Sequence, residues 1–223
     1  MLFLAELVPW QEIARYANTW RFCTDHHDNW KSTSTQILCR YDQFSSKVVG
    51  APGAWASMDF LMTGGAGCKA APHCPGQTPE EYKTEFAVWS LTQSPLLVDT
   101  DIRSMTNLMQ KVLLNEELVA LHQSTETPPG RHLGHWLACD EALACNLYGR
   151  QASANGTVWF VALVNLGKKS HKITLDFSKL SWTGDTKAHA YDVYEHKSLG
   201  DATGKFEAFV ASHASSVVRL TRS

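Results

Sequence analysis

The alternation of apolar and polar positions divides the chain into two unlike halves. Up to about residue 122, short apolar segments typical of strands alternate with segments in which apolar residues recur at helical spacing. The predicted strands are 16–23, 54–62 and 96–99, and the predicted helices are 32–44, one beginning at Thr78, 102–114 and 115–123. Successive strand–helix units favour a parallel sheet, a fold that keeps its chemistry in the loops after the strands.

The clearest helix signal begins at Thr78. Thr78 as N-cap, Pro79 at the first helical position and Glu81 at the third form a capping box. Tyr82, Phe86 and Trp89 follow at positions i, i+4 and i+7. This spacing predicts a single buried stripe.

A turn-rich segment, 125–130, is the best linker signal in the chain. Beyond it the pattern predicts five strands separated by turns and no helix: 157–166, 172–177, 187–194, 206–211 and 216–221. This is typical of an antiparallel β-sandwich. The sequence therefore predicts an α/β domain over 1–124 and an all-β domain over 131–223.

Composition narrows the class of protein. Hydrophobic residues make up 44% of the 223 residues, which is enough for a sizeable core and excludes wholesale disorder. Twenty basic residues face 22 acidic ones, and no basic run exceeds two residues, so no nucleic-acid partner is expected. We also expect no membrane span and no signal peptide in this chain, since it has neither a long apolar segment nor a basic start followed by one.

The cysteines and one sequon indicate a cellular compartment. Cys68 and Cys74 share the same spacing as Cys139 and Cys145, and both pairs lie in turn-prone segments. Two short-loop disulfides would suit a secreted or lumenal protein, while free or core cysteines of a cytosolic protein are the alternative. Asn155 begins an Asn-Gly-Thr glycosylation sequon in a polar loop, which favours the first interpretation.

The densest polar cluster, 20–30, follows the first predicted strand. Its aspartates, an arginine and two tryptophans suggest a pocket in which carboxylates transfer protons and indoles stack on a sugar. The alternative is a solvated loop in which an aspartate caps the next helix. Asp59, near the end of the second predicted strand, lies among apolar residues, where a carboxylate is costly unless it is bonded; a loop or helix-cap role is its alternative.

Metal binding is not expected. His26 and His27 are adjacent, and side chains of adjacent residues on an extended segment point in opposite directions. The other histidine and cysteine groups lack the spacing of zinc sites.

Four ordered segments resemble the melibiase-type α-galactosidase family, which includes α-N-acetylgalactosaminidases. Trp20-Arg21-x-x-x-Asp25-x-x-Asp28-x-Trp30 and Pro52-Gly53-Ala54-Trp55-x-x-x-Asp59 are similar to two family segments. The run 87–97 ahead of Asp101-Ile102-Arg103 and the closing segment from Tyr191 are similar to two more. The resemblance implies the C-terminal portion of a (β/α)8 TIM barrel followed by an antiparallel β-sandwich domain.

The resemblance also implies an activity and its residues. The family hydrolyses terminal α-galactosides with retention, by acid–base chemistry that uses no metal or organic cofactor. By position, Asp25 resembles the acid/base, Arg21 and Asp59 resemble residues that bind the sugar, and Trp55 belongs to the supporting strand of the substrate site. The expected partner is an α-galactoside, and the full-length parent would be secreted or lysosomal/vacuolar, with a homodimer allowed.

The chain also departs from the family. Trp55 is followed by Ala-Ser-Met-Asp where the family reads N-D-P-D, and His26 and His27 are unlike the family's usual residues. The family nucleophile lies upstream in a K-x-D segment, and none precedes Trp20, so the expectation is a truncated chain with an incomplete site. A galactose-binding module without catalysis and an inactive fragment are the alternatives. The choice between galactose and N-acetylgalactosamine stays open.

Overall fold

The computed structural model describes residues 10–41, 50–64, 76–136, 139 and 143–223. The helices are α1 (Trp10–Ile13), α2 (Trp30–Tyr41), α3 (Pro79–Leu91), α4 (Asn107–Leu113) and α5 (Glu116–Gln123). The strands of the first half are β1 (Thr19–Arg21), β2 (Gly50–Ala51) and β3 (Ala54–Ser57). Those of the second half are β4 (Arg131–His135), β5 (Cys145–Gln151), β6 (Val158–Asn165), β7 (His171–Asp176), β8 (Lys187–Asp192), β9 (Lys197–Thr203), β10 (Lys205–Val210) and β11 (Ala214–Arg222).

The first half contains the parallel pairing that the strand–helix pattern predicts. β1 runs parallel to β3, with Arg21 opposite Ser57. Leu61 then forms a parallel bridge with Val98, the remnant of the strand predicted at 96–99. The segments that follow β1 and β3 therefore leave the sheet at the same edge.

Helix α3 begins as the sequence predicts but is buried more completely. The Thr78 hydroxyl accepts from the Glu81 amide and the Glu81 carboxylate accepts from the Thr78 amide, which confirms the capping box. The predicted apolar stripe is buried. Burial extends beyond it, because Thr84 and Glu85 are as deeply buried as Phe86.

The second half is an antiparallel β-sandwich. Six strands form one sheet in the order β4-β5-β6-β11-β8-β9, and β7 pairs with β10 in the other. The five predicted strands are present, whereas β4, β5 and β9 were not predicted. One apolar core fills the space between the two sheets, and another lies between the six-stranded sheet and helices α2, α3, α4 and α5. Since this second core joins both halves, the domain limits 1–124 and 131–223 stay a prediction.

The cysteines form two disulfides among the described residues. Cys139–Cys145 was predicted from its spacing, and Cys23–Cys39 was not. Cys68 and Cys74 lie outside the described residues. Within the same described part of the chain, no helix has the length and apolarity needed to cross a bilayer.

A half-buried histidine on β4 makes the stability of the fold sensitive to acid. Burial, with the nearby His135 and Lys179 contributing, lowers the pKa of His132 to about 4. The unfolded chain, in which histidine keeps a pKa of about 6.5, therefore binds more protons between these two values. Stability should fall as the pH drops from about 6.5 to about 4, by on the order of 2 kcal/mol after allowance for partial exposure.

His132→Gln should flatten this part of the stability curve. Urea unfolding at pH 7.5 and pH 4.5 measures the change. His189→Gln, which alters an exposed histidine on β8, is the control. An unchanged pH dependence in His132→Gln would assign the acid sensitivity to other groups.

Candidate functional site

One arginine joins the two aspartates that follow the parallel strands. Arg21 is the last residue of β1, and its two terminal nitrogens contact different carboxylates. Nη1 donates to Asp59 Oδ2 at 2.7 Å and Nη2 donates to Asp25 Oδ1. Burial lowers the pKa of Arg21, but the Asp59 charge and the contacts with Asp25 outweigh it and raise that pKa above its ordinary value. The guanidinium therefore stays charged between the carboxylates.

Asp59 is held in a strained conformation by its surroundings. Its φ of 74° lies in the left-handed region, which is unfavourable for a residue with a β-carbon. The Asp59 amide donates to Ser57 Oγ at 3.0 Å, and the Asp59 carbonyl accepts from Trp89 Nε1 at 3.0 Å. Its carboxylate also accepts from the His26 amide at 2.9 Å. Strain that is over-determined in this way is typical of functional sites.

The bond between the Asp59 amide and Ser57 lies where Ala-Ser-Met-Asp replaces the N-D-P-D of the family. In place of the family's polar turn, the Ser57 hydroxyl supplies an acceptor to Asp59, and the Met58 amide donates to Ser94 Oγ at 2.8 Å. Trp55, half-buried in β3, lies opposite Thr19 of β1. Trp55 thus lies four residues before Asp59, in the strand that supports the site.

Asp25 and Asp59 differ sharply in exposure. The side chain of Asp25 is 67% exposed, whereas that of Asp59 is 10% exposed. An exposed carboxylate can exchange its proton with a bound molecule, while a nearly buried one that already accepts two hydrogen bonds is fixed as an acceptor. The pair thus offers one group suited to proton transfer and one suited to binding.

The residue that caps α2 is Asn29 and not an aspartate of the polar cluster 20–30. Asn29 accepts from the Ser32 amide at 2.9 Å in the first turn of α2. Asp28 instead accepts from the Tyr82 hydroxyl at 2.6 Å and from the Gly76 amide at 2.9 Å. Burial raises the pKa of Tyr82, and the Asp28 carboxylate raises it further, so this hydroxyl remains a donor.

Behind the site lies a buried pair that sequence reasoning missed. His26 Nε2 is 2.8 Å from Glu85 Oε1, and both side chains are fully buried. The two residues are 59 positions apart, and the unusual histidine after Asp25 was their only signal in the sequence.

One group of residues has metal-ligand chemistry among those the structure describes. Ligand atoms of Cys139, Cys145 and His171 lie within 4.8 Å of one another. Because the two cysteines are joined in a disulfide, neither offers a thiolate. This group is also separate from the aspartates.

Comparison with known proteins agrees with this architecture. Residues 2–124 match the family model described as alpha galactosidase A, and residues 147–220 match the alpha galactosidase C-terminal beta sandwich domain. Alpha-galactosidase 2 of Arabidopsis thaliana is 29% identical over 216 residues, which cover 92% of this chain and 47% of that protein. The chain spans about half the length of the curated relatives it matches.

Solved structures show the same fold. Alpha-galactosidase I from Mortierella vinacea superimposes with a TM-score of 0.78 at 20% identity, covering 95% of this chain and 55% of that one. A GH27 β-L-arabinopyranosidase from Geobacillus stearothermophilus, solved with arabinose, gives a TM-score of 0.80 at 21% identity, with 96% and 47% covered.

The fold and the site define a class of protein: the C-terminal portion of a (β/α)8 barrel, with polar groups after its parallel strands, followed by an antiparallel β-sandwich. The match to more than half of its residues then fixes the family. The chain belongs to the alpha-galactosidase A family.

Proposed function

We propose that this chain carries the acid/base and sugar-binding part of a retaining α-galactosidase site. The observation that carries the proposal is the contact of Arg21 with both Asp25 and Asp59 at one edge of the parallel strands. In this assignment the substrate is a terminal α-galactoside of an oligosaccharide or glycoconjugate. Its galactose ring lies over the three side chains.

Asp25 acts as the general acid and then as the general base. Its carboxyl group gives a proton to the leaving glycosidic oxygen as that bond breaks, and later takes a proton from the water that attacks the glycosyl-enzyme. The exposure of its side chain supports this role, because both the leaving group and the water must reach it.

Asp59 and Arg21 bind the sugar. The Asp59 carboxylate accepts hydrogen bonds from galactose hydroxyls, and Arg21 orients both carboxylates while donating to the sugar. The near burial of Asp59 supports this role, since a carboxylate that is already fixed loses little freedom on binding. The nucleophile of the retaining mechanism is a third carboxylate, which the family carries in a K-x-D segment.

A non-catalytic galactose-binding module is the second candidate. The contact between Arg21 and Asp59, the two residues assigned to sugar binding, favours a binding module, because binding needs no nucleophile. Two measurements separate the candidates: calorimetry of the 223-residue chain with galactose, and release of nitrophenol from an aryl α-galactoside by the full-length protein that supplies the nucleophile. Galactose binding by the chain together with turnover by the full-length protein supports the hydrolase, and binding without that turnover supports the module. Absence of both binding and turnover would leave an inactive fragment.

A secreted or lysosomal/vacuolar location goes with this function. The disulfides Cys23–Cys39 and Cys139–Cys145 support an oxidising compartment. Asn155 is exposed, in a turn closed by its bond from Thr157, and is accessible to glycosylation. Homodimer formation by the full-length protein stays a prediction.

Arg21→Met should weaken galactose binding by about a hundredfold. The variant removes charge-assisted donors to the sugar and leaves Asp25 and Asp59 to repel each other. Calorimetry measures the loss of affinity.

Arg103→Met is the matched control for Arg21→Met. Arg103 also pairs with an aspartate, Asp101, at 2.7 Å, but its side chain is 86% exposed. Its replacement should leave galactose affinity unchanged. Equal affinities of wild type and Arg21→Met would contradict the assignment of Arg21.

A further inference from the structure

Glu85 lies at the meeting point of two loops that follow the parallel strands. One is the Asp25 loop, residues 24–29 after β1, and the other is the Asp59 loop, residues 58–63 after β3. Glu85 projects from α3 behind both and is fully buried.

Glu85 holds the Asp59 loop directly. Its Oε1 accepts from the Met62 amide at 2.8 Å, and its Oε2 accepts from the Thr63 hydroxyl at 2.7 Å. These bonds begin three residues after Asp59. They fix the exit of the segment whose backbone is strained at Asp59.

Glu85 holds the Asp25 loop through His26. The His26 ring places Nε2 2.8 Å from Glu85 Oε1 and Nδ1 3.0 Å from Ser32 Oγ. The Ser32 hydroxyl also accepts from the His27 amide at 2.9 Å. Since a carboxylate is an acceptor, Nε2 carries the hydrogen of the bond to Glu85.

The side chains of Asp25 and His26 differ in exposure, although the two residues are adjacent. Burial of His26 anchors the loop next to Asp25 and leaves the Asp25 carboxylate on the open side. The Asp25 side chain is 67% exposed and that of His26 is not exposed at all. The His26 ring also lies 5.3 Å from that of Trp89, whose indole donates to Asp59. One buried ring is thus in contact with the supports of both aspartates.

We propose that Glu85 and His26 are positioning residues, which lock the Asp25 and Asp59 loops to each other so that the two carboxylates meet at Arg21. The assignment rests on the proposed function for its role in galactose binding. Neither side chain touches the sugar; each acts through the loop that it holds.

Hydrogen exchange of two amides reports the lock without any ligand. The His26 amide is bonded to Asp59 and the Met62 amide to Glu85. Glu85→Gln preserves the side-chain volume but removes the charge that strengthens the bonds of Glu85 to the His26 ring, the Met62 amide and the Thr63 hydroxyl. It should therefore speed exchange at both amides by about tenfold. His26→Gln, which leaves Met62 and Thr63 bonded to Glu85, should speed exchange at His26 and not at Met62.

Glu81→Gln is a closely matched control. Glu81 lies one turn earlier on α3, is also buried, and accepts from the Thr78 amide and from His213 at 2.9 Å. One partner is the N-cap of the same helix and the other, His213, lies in the β-sandwich, so neither belongs to the Asp25 or the Asp59 loop. Glutamine also serves in a capping box. Glu81→Gln should leave exchange at His26 and Met62 at the wild-type rate.

Galactose calorimetry of the same variants tests positioning. Glu85→Gln and His26→Gln should each weaken affinity by about tenfold, and Glu81→Gln should not. Faster exchange with unchanged affinity would overturn the positioning role, and unchanged exchange at His26 in Glu85→Gln would overturn the lock. If wild type itself binds no galactose, the proposed function fails, and the exchange rates still decide whether one carboxylate holds both loops.

Discussion

Asp25→Ala is expected to slow hydrolysis of α-galactosides with poor leaving groups by about a thousandfold in the active enzyme. A general acid contributes most when the leaving oxygen is basic, so loss of the proton donor affects an alkyl galactoside far more than a dinitrophenyl one. The ratio of kcat/KM for the two substrates in wild type and variant measures the effect.

Azide should restore turnover of the activated substrate in this variant. With a dinitrophenyl leaving group the glycosyl-enzyme forms without a proton donor, but water then lacks its general base. Azide attacks the anomeric carbon without needing that base and displaces the carboxylate of the nucleophile. The product is galactosyl azide, which thin-layer chromatography separates from galactose.

Asp28→Asn is the control from the same loop. Asp28 faces Tyr82 and the Gly76 amide rather than Arg21, so its replacement changes packing near the site and not the proton donor. It should slow good and poor leaving groups equally and show no response to azide. Leaving-group dependence equal to that of Asp25→Ala would discard the assignment of Asp25.

The positions of Asp25 and Asp59 after their strands could be predicted because local sequence patterns mark them. Asp25 and Asp59 each follow a short apolar strand, and parallel strands bring their carboxyl ends to one edge, so proximity follows from the pattern. The bridging contact of Arg21 could not be derived in that way. It depends on the three-residue length of β1 and on the left-handed turn at Asp59.

Glu85 and His26 illustrate why buried polar partners escape a periodicity argument. Helix α3 is covered on nearly all sides, because the strands of the first half and the β-sandwich pack against different faces of it. Its polar residues Thr84, Glu85 and Ser90 are therefore as buried as its apolar ones, and hydrophobic spacing does not mark the buried positions of this helix.

Strands β5 and β9 escaped prediction for different reasons. β5 lies in the middle layer, with Leu147 toward the second sheet and Tyr148 toward the helices. A strand covered on both faces does not alternate. β9 is the opposite case, since it is an almost fully exposed edge strand of mostly polar residues. The Cys23–Cys39 disulfide joins the end of β1 to α2 and likewise has no short-spacing signal.

Arg150→Met is expected to lower the free energy of unfolding by about 3–5 kcal/mol, the largest stability effect that we anticipate. Arg150 is the penultimate residue of β5 and is 1% exposed. Its guanidinium donates to four main-chain carbonyls, those of Leu121, Ser124, Thr127 and Pro128. It thereby fastens the end of α5 and the segment 124–128 to the sheet. Methionine fills much of the space but leaves the carbonyls buried without these donors.

The charge of Arg150 is retained in the fold. Burial lowers its pKa to about 10, which is still well above neutral pH, so the cation is present to compensate the carbonyl dipoles. Arg150→Lys keeps a charge, but a single ammonium cannot reproduce the planar set of donors. We expect it to be intermediate, at about 1–3 kcal/mol.

Urea unfolding at pH 7 measures the free energy of unfolding of each variant. The control is Arg222→Met, at an exposed position at the end of β11. It should be within about 0.5 kcal/mol of wild type. An Arg150→Met variant as stable as this control would mean that the linker is held by other contacts. The expected order would instead show that Arg150 fixes the junction between α5 and the sheet. Because the carbonyls that Arg150 binds belong to the end of α5 and to the segment 124–128, its loss should loosen α5 before it affects the Asp25 and Asp59 loops. Hydrogen exchange of the α5 amides in Arg150→Lys tests that sequence of events.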